Sequence, residues 1–316
     1  MFGKLKYLKY RFDYVYAHKM NHSRPIDVML ELSSHCDLRC NYCYHSDQDN
    51  LPFNKKHMEL DIALDIISQA ADCGVKSLKF NYRGEATLNP NYYQITGFAR
   101  AIRKGSTFID LLANSNFNFP TEKDSIFDGL SQLTKVKVSY DSFTPYVFEN
   151  QRIKSDHARV TANVDKFYNY PLRIKNETEI VIQAVRSHAN KDEDIEAISK
   201  KRWPEASVSI RDVVGGRVDG FKELKKRDNS ERQACRQAFA RLIFTSSGDV
   251  LPCCPNITEE LKYGNIKTTS LLNLYNGEKA QALRKSLKDL SAFDRNPCKN
   301  CSSFETFKGF KPSWNS

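Results

Sequence analysis

Cys36, Cys40 and Cys43 stand within eight residues, in the run Ser-Ser-His-Cys-Asp-Leu-Arg-Cys-Asn-Tyr-Cys-Tyr, directly after an apolar, strand-like stretch at 28–32. Three thiolates at this C-x3-C-x2-C spacing can hold three irons of a [4Fe-4S] cluster and leave the fourth iron without a protein ligand. An open iron is a place where a small molecule binds and is reduced. Zinc is the rival, and it wants four ligands in a closed tetrahedron. His35 and His45 are the nominal fourth ligands, but His35 adjoins Cys36 and would have to double back, while His45 lies only two residues beyond Cys43. A third reading leaves the three cysteines buried and unmetallated.

The motif, with the aromatic Tyr42 just before its last cysteine, resembles the signature of the radical S-adenosylmethionine (radical SAM) enzymes. The resemblance implies that SAM binds the open iron through its amino and carboxylate groups. Reduction there cleaves SAM to methionine and a 5'-deoxyadenosyl radical, which takes hydrogen from an unactivated C–H bond. Further matches follow at the ends of predicted strands. Arg83-Gly84-Glu85-Ala86 resembles the family's Gly-Gly-Glu-Pro stretch, with Arg83 for the first Gly and Ala86 for Pro, and the likeness implies that Gly84 and Glu85 receive the SAM amino group. Asn114-Ser115-Asn116 is similar to a Ser-Thr-Asn-Gly segment near the SAM pocket, which makes Asn116 a contact. Ser139 and Asp141 fall where polar residues meet the ribose, and Arg152 where a guanidinium pairs with the SAM carboxylate.

A second set of cysteines narrows the subclass. Cys235, twelve residues, Gly248, four residues and Cys253 reproduce the opening of the SPASM and twitch auxiliary-cluster domains, and Cys298 and Cys301 follow an amphipathic stretch at 270–290. The segments 242–245 and 250–252 flank a hairpin signal that brings two of the thiols together. With no cysteine after Cys301, the resemblance is to the one-cluster form, and it implies a second [4Fe-4S] cluster on these four residues. A four-cysteine zinc site uses similar paired thiols and stays open as an alternative. Cys254 is an unassigned neighbour, either a substitute ligand or, with Tyr140, a candidate hydrogen donor, although a packing role suits both. Cys73 reads as a helix-end residue without a metal.

Strand-like runs near 27–33, 77–82, 107–113, 135–141, 177–185 and 206–212 alternate with helical periods at 61–71, 91–103 and 192–201. Parallel strands need long crossovers, so the pattern predicts a parallel sheet covered on its outer side. The expected fold is α/β, a partial (β/α)6 TIM-like barrel with a small C-terminal auxiliary iron-sulfur cluster domain, and its chemistry belongs at the C-terminal strand ends. The expected divisions are a helical extension over 1–24, the barrel over 25–214 and the auxiliary domain over 215–316, joined through the glycines of 214–220 and the charged stretch 222–232. In the extension, Leu5, Leu8, Phe12 and Val15 recur at helical spacing, which predicts a helix packed on the barrel.

The chain has 316 residues, nine cysteines and a formal net charge of +10. Cysteines grouped as metal sets rather than as a disulfide framework fit a reducing cytoplasm. No run of eighteen apolar residues and no signal-peptide pattern appears. Dispersed Lys and Arg without a recognised module make nucleic acid the weaker partner. A reductant such as flavodoxin or ferredoxin is implied. Peptide modification by oxidation, crosslinking or epimerisation leads the expectations for activity. It is followed by dehydrogenation of a small molecule such as an aminocyclitol or sugar, and by nucleotide modification. A non-catalytic iron-sulfur or zinc scaffold is the expectation from another class.

Overall fold

The computed structural model describes residues 2–212, 234–299 and 301. The strands are β1 (Asp27–Leu30), β2 (Arg39–Cys40), β3 (Ser77–Lys79), β4 (Asp110–Ser115), β5 (Lys135–Ser139), β6 (Arg152–Ile153), β7 (Glu179–Arg186), β8 (Ser207–Asp212), β9 (Arg241–Phe244), β10 (Asp249–Leu251) and β11 (Gly264–Asn265). The helices are α1 (Phe2–Val15), α2 (Leu60–Asp72), α3 (Tyr92–Arg103), α4 (Asp124–Ser131), α5 (Pro145–Gln151), α6 (His157–Tyr168), α7 (Pro171–Lys175), α8 (Ile195–Arg202), α9 (Gln237–Ala240), α10 (Leu271–Asn276) and α11 (Glu278–Lys288).

All six predicted strands form, as β1, β3, β4, β5, β7 and β8, and they pair in parallel in that order. The partial (β/α) barrel is thus the architecture. Its helices cover the outer face because their apolar residues recur at helical spacing. Ala63, Ile66, Ile67 and Ala70 of α2 and Val160, Val164 and Phe167 of α6 are buried against Val28, Leu78, Leu111, Val136 and Ile182 of the sheet. Alternation along each strand leaves the other residues on the concave side.

The sheet continues past β1. Strand β9 pairs with β1 in parallel, Val28 opposite Leu242 and Leu30 opposite Phe244, and β10 and β11 add antiparallel beyond it. The predicted hairpin is β9–β10, and its turn holds Gly248 at φ +86°, a left-handed conformation that favours glycine. The amphipathic stretch at 270–290 divides into α10 and α11 at Gly277. The glycine-rich 214–220 and the charged 222–232 lie outside the described residues.

Helix α1 packs against the barrel with only part of the predicted stripe, since Val15 is buried and Leu8 half-buried. Leu5 and Phe12 are exposed, whereas Tyr10, Tyr14 and Val15 are buried. The reason is the polarity of what they cover: Arg241 Nη2 donates to the Tyr14 hydroxyl at 2.7 Å, and Arg241 also pairs with Asp27. Tyrosines can meet such a charged floor; leucine and phenylalanine cannot. Among the described residues no helix is long and apolar enough to cross a membrane.

Candidate active site and cluster-binding cysteines

The chain leaving β1 runs over the C-terminal ends of the strands, where side chains from several strand ends hold it. Asp37 accepts hydrogen bonds from Asn116 Nδ2 at 2.7 Å and Asn118 Nδ2 at 2.9 Å, both beyond β4. Arg39 donates to the carbonyls of Cys36 and Leu38. Cys40 lies in the short ladder of β2 with β6, opposite Arg152, and the Cys43 amide donates to the Cys40 carbonyl at 3.0 Å. The three cysteines are thereby carried on one tethered loop at the barrel mouth. Burial pushes the Cys40 thiol up to about 11 and raises Cys36 as well. Such thiols ionise when a metal takes the proton's place. His45 is spoken for: its Nε2 donates to the Arg83 carbonyl at 2.8 Å, and its Nδ1 accepts from Gln48. Burial lowers its pKa to about 4. His35 stacks on His57.

Gly84 and Glu85 sit just past β3, against this loop. A Cβ on Gly84 would lie 2.4 Å from the carbonyl oxygens of both Ser33 and His35, so only glycine lets the two chains approach. The Glu85 amide donates to the His35 carbonyl at 2.8 Å. Its carboxylate is fully buried and accepts from the Thr87 amide and hydroxyl, from the Asn116 amide at 2.8 Å and from Ser115. Burial, with Asp37 nearby, raises its pKa to about 7. Glu85 therefore ties the ends of β3 and β4 together beneath the cysteine loop.

Asp141 and Arg152, expected as separate ligand contacts, hold each other. Arg152 Nη2 lies 3.0 Å from Asp141 Oδ1 and Nε lies 2.9 Å from Oδ2. Tyr42 donates its hydroxyl to the same carboxylate at 2.5 Å, and the Val185 amide donates at 2.8 Å. Arg152 Nη1 also reaches Cys40 Sγ at 3.9 Å. This buried knot clamps the cysteine loop to β5, β6 and β7. Ser139 ends β5 on the concave side. Tyr140, the next residue, faces the helices among Phe143, Phe148 and Trp203, and its hydroxyl meets His157 and Thr161. It takes the packing role and not that of a hydrogen donor in the barrel.

Cys235, Cys253, Cys298 and Cys301 line one pocket, walled by Leu261, Leu283, Leu287 and Phe293. Burial raises Cys235 to about 11 and raises Cys253 as well. Cys254 turns the other way, packs beside Met29, Ile243 and Leu251, and receives Arg241 Nη1 at 3.0 Å. Cys73 is the residue that closes α2. No disulfide joins the nine cysteines. Among the described residues no three His, Cys, Asp or Glu side chains form a single-ion cage. What the two sets offer an iron-sulfur cluster is soft thiols only, three carried on one loop and four lining one apolar pocket.

Sequence reasoning missed the group joining the two sets. Arg83 forks onto Glu31 at 2.6 and 2.8 Å and reaches Glu259 Oε1 at 2.8 Å, while its carbonyl receives Tyr44 and His45. Glu31 Oε2 also accepts from the Ser246 amide at 2.9 Å. The signal lay in Arg83 itself, the charged residue where the resembling motif has glycine.

Residues 235–302 match SPASM, described as an iron-sulfur cluster-binding domain. A GTP 3',8-cyclase of Clostridium perfringens (strain 13 / Type A) is 24% identical over 226 residues, which cover 67% of this chain and 62% of that protein, less than two thirds of its length. Among solved structures, BtrN in complex with AdoMet and 2-DOIA is 17% identical with a TM-score of 0.58, covering 90% of this chain and 94% of that one. Streptococcus suis SuiB bound to precursor peptide SuiA is 16% identical with a TM-score of 0.65, covering 87% and 70%. The fold is that of radical SAM enzymes, and the resemblance read from the sequence is borne out. The matches support SAM and [4Fe-4S] clusters as cofactors.

Proposed function

We propose that the protein is a radical SAM oxidoreductase or maturase, fed electrons by a flavodoxin or ferredoxin in the cytoplasm, that abstracts hydrogen from an unactivated C–H bond of a peptide substrate. The observation that carries the reading is the placement of Cys36, Cys40 and Cys43 on one loop clamped over the parallel strand ends. A [4Fe-4S] cluster held by Cys36, Cys40 and Cys43 would supply the electron for reductive cleavage of SAM. The protein's share is aim and shelter. Tyr42, Asp141 and Arg152 fix the loop, Gly84, Glu85 and Asn116 fix the rim, and a partial barrel shields the space below. Cys235, Cys253, Cys298 and Cys301, which line one pocket, would hold an auxiliary cluster that serves as a second electron station. The expected division into a helical extension, barrel and auxiliary domain is part of this proposal.

The likeness to SuiB bound to a precursor peptide supports the peptide. A small-molecule dehydrogenation is the second reading, favoured by BtrN, which this chain matches over 94% of its length in a complex with 2-DOIA. Anaerobic reconstitution followed by SAM and dithionite should release 5'-deoxyadenosine, and Ala at Cys36, Cys40 and Cys43 together should abolish it while the auxiliary absorption stays. A fully reconstituted wild-type protein that releases no nucleoside would defeat the proposal. Mass changes in candidate peptides or aminocyclitols separate the two substrates.

A further inference from the structure

The concave side of the barrel is charged, and its charges are mostly paired. Asp27 pairs with Arg241 at 3.1 Å and with Lys79, and Lys135 pairs with Glu179 at 2.9 Å. Lys137, at the centre of β5, is different. It alternates with Val136 and Val138, which face the helices, so its own side chain faces the concavity. Its neighbours in register are Asn114 on β4 and Val181 on β7, neither of them an acid. Among the described residues Lys137 has no ion-pair partner, and Arg211, Lys79, Lys135 and Arg11 all act on it as like charges. Burial and these cations lower its pKa to about 8.

A half-buried lysine among cations destabilises the fold unless something negative meets it. The amides on this side are also unfinished: the Oδ1 atoms of Asn114, its register neighbour on β4, and of Asn81, one strand further and just past β3, are buried without a hydrogen-bond partner. An oxyanion would answer the charge of Lys137, while the two amide oxygens, being acceptors, call for hydrogen-bond donors rather than a second anion. We propose that the barrel interior around Lys137, Asn114 and Asn81 binds a carboxylate or phosphate group of the substrate, with Lys137 as its charge partner. This deepens the radical SAM reading and names the substrate as anionic, whether acidic peptide or phosphorylated small molecule.

The test uses the full chain at fixed ionic strength, titrated calorimetrically with inorganic phosphate and, separately, with glutarate. Wild type should bind at least one of them, and Lys137→Met should weaken that binding about tenfold or more while Lys137→Arg retains it. Without ligand, Lys137→Met should melt no lower than wild type, because it removes like-charge repulsion; a lysine with a merely structural role would melt lower on removal. If Lys137→Met does not fold, Lys137→Gln makes the same comparison. Phosphate binding alone assigns a phosphorylated ligand, and glutarate binding alone assigns a carboxylate. Wild type binding neither probe, or the variant binding as well as wild type, overturns the site. Release of 5'-deoxyadenosine by wild type on the same samples separates the two proposals, since it tests the radical chemistry without the oxyanion.

Discussion

Gly84 shows how little room the mouth of the barrel leaves. Its virtual Cβ meets the carbonyl oxygens of Ser33 and His35, and the second of these already accepts from the Glu85 amide and the Ser33 hydroxyl. Neither chain can move without pulling the other, because the Glu85 amide is bonded to the His35 carbonyl. Gly84→Ala should therefore cost about 2–3 kcal/mol of stability, the ordinary penalty of overpacking. It should also displace Cys36, so that iron at the three-cysteine loop falls while the four-cysteine pocket keeps its own. Denaturant unfolding and iron per chain measure both. An alanine variant with wild-type stability and full iron would show that the contact gives way freely.

Between elements, Arg83 does the joining. It lies beyond β3, forks onto Glu31 beyond β1, reaches Glu259 beyond β10, and lends its carbonyl to Tyr44 and His45 of the cysteine loop. Arg83→Met leaves Glu31 buried with its charge unanswered except by the Ser246 amide, a loss of about 3–5 kcal/mol. Arg83→Met with Glu31→Gln should recover part of it, which a double-mutant cycle measures; strict additivity would mean the pair is not coupled. The same residue marks what could be read from sequence. The six strands and the cysteine spacing were legible because alternation and close spacing are local properties. The β2–β6 ladder was not, since two residues at 39–40 and two at 152–153 give no pattern of their own. The ion pairs Arg83–Glu31 and Arg152–Asp141 join residues whose adjacency exists only once β1, β3, β5 and β7 lie side by side. Helix α1 misled for a related reason: its apolar stripe was visible, but the charged floor that selects Tyr10 and Tyr14 is built from distant strands.

At the scale of the whole molecule, the nine-stranded sheet runs unbroken from the barrel strands into β9, β10 and β11. Strand β1 has β3 on one side and β9 on the other, and the helix-side core that holds Val28, Leu30 and Leu78 also holds Leu242, Phe244, Leu271, Leu274 and Tyr275. The chain that leaves β1 carries Cys36, and the chain that leaves β10 carries Cys253, so the pairing of β1 with β9 and of β9 with β10 sets the two cysteine groups relative to each other. Cutting the chain after 212 would strip β1 of a partner and expose an unpaired edge together with the apolar residues that α10 now covers. Helix α1 would lose Phe239, Ala240 and Leu287 at the same stroke, because its tyrosines pack in a cluster with them. Residues 1–212 alone should therefore be insoluble or lack a cooperative melting transition by circular dichroism, whereas the full chain melts in a single step. A soluble 1–212 fragment that unfolds cooperatively would mean that the barrel is complete without β9, and that the radical chemistry and the auxiliary pocket are separable parts.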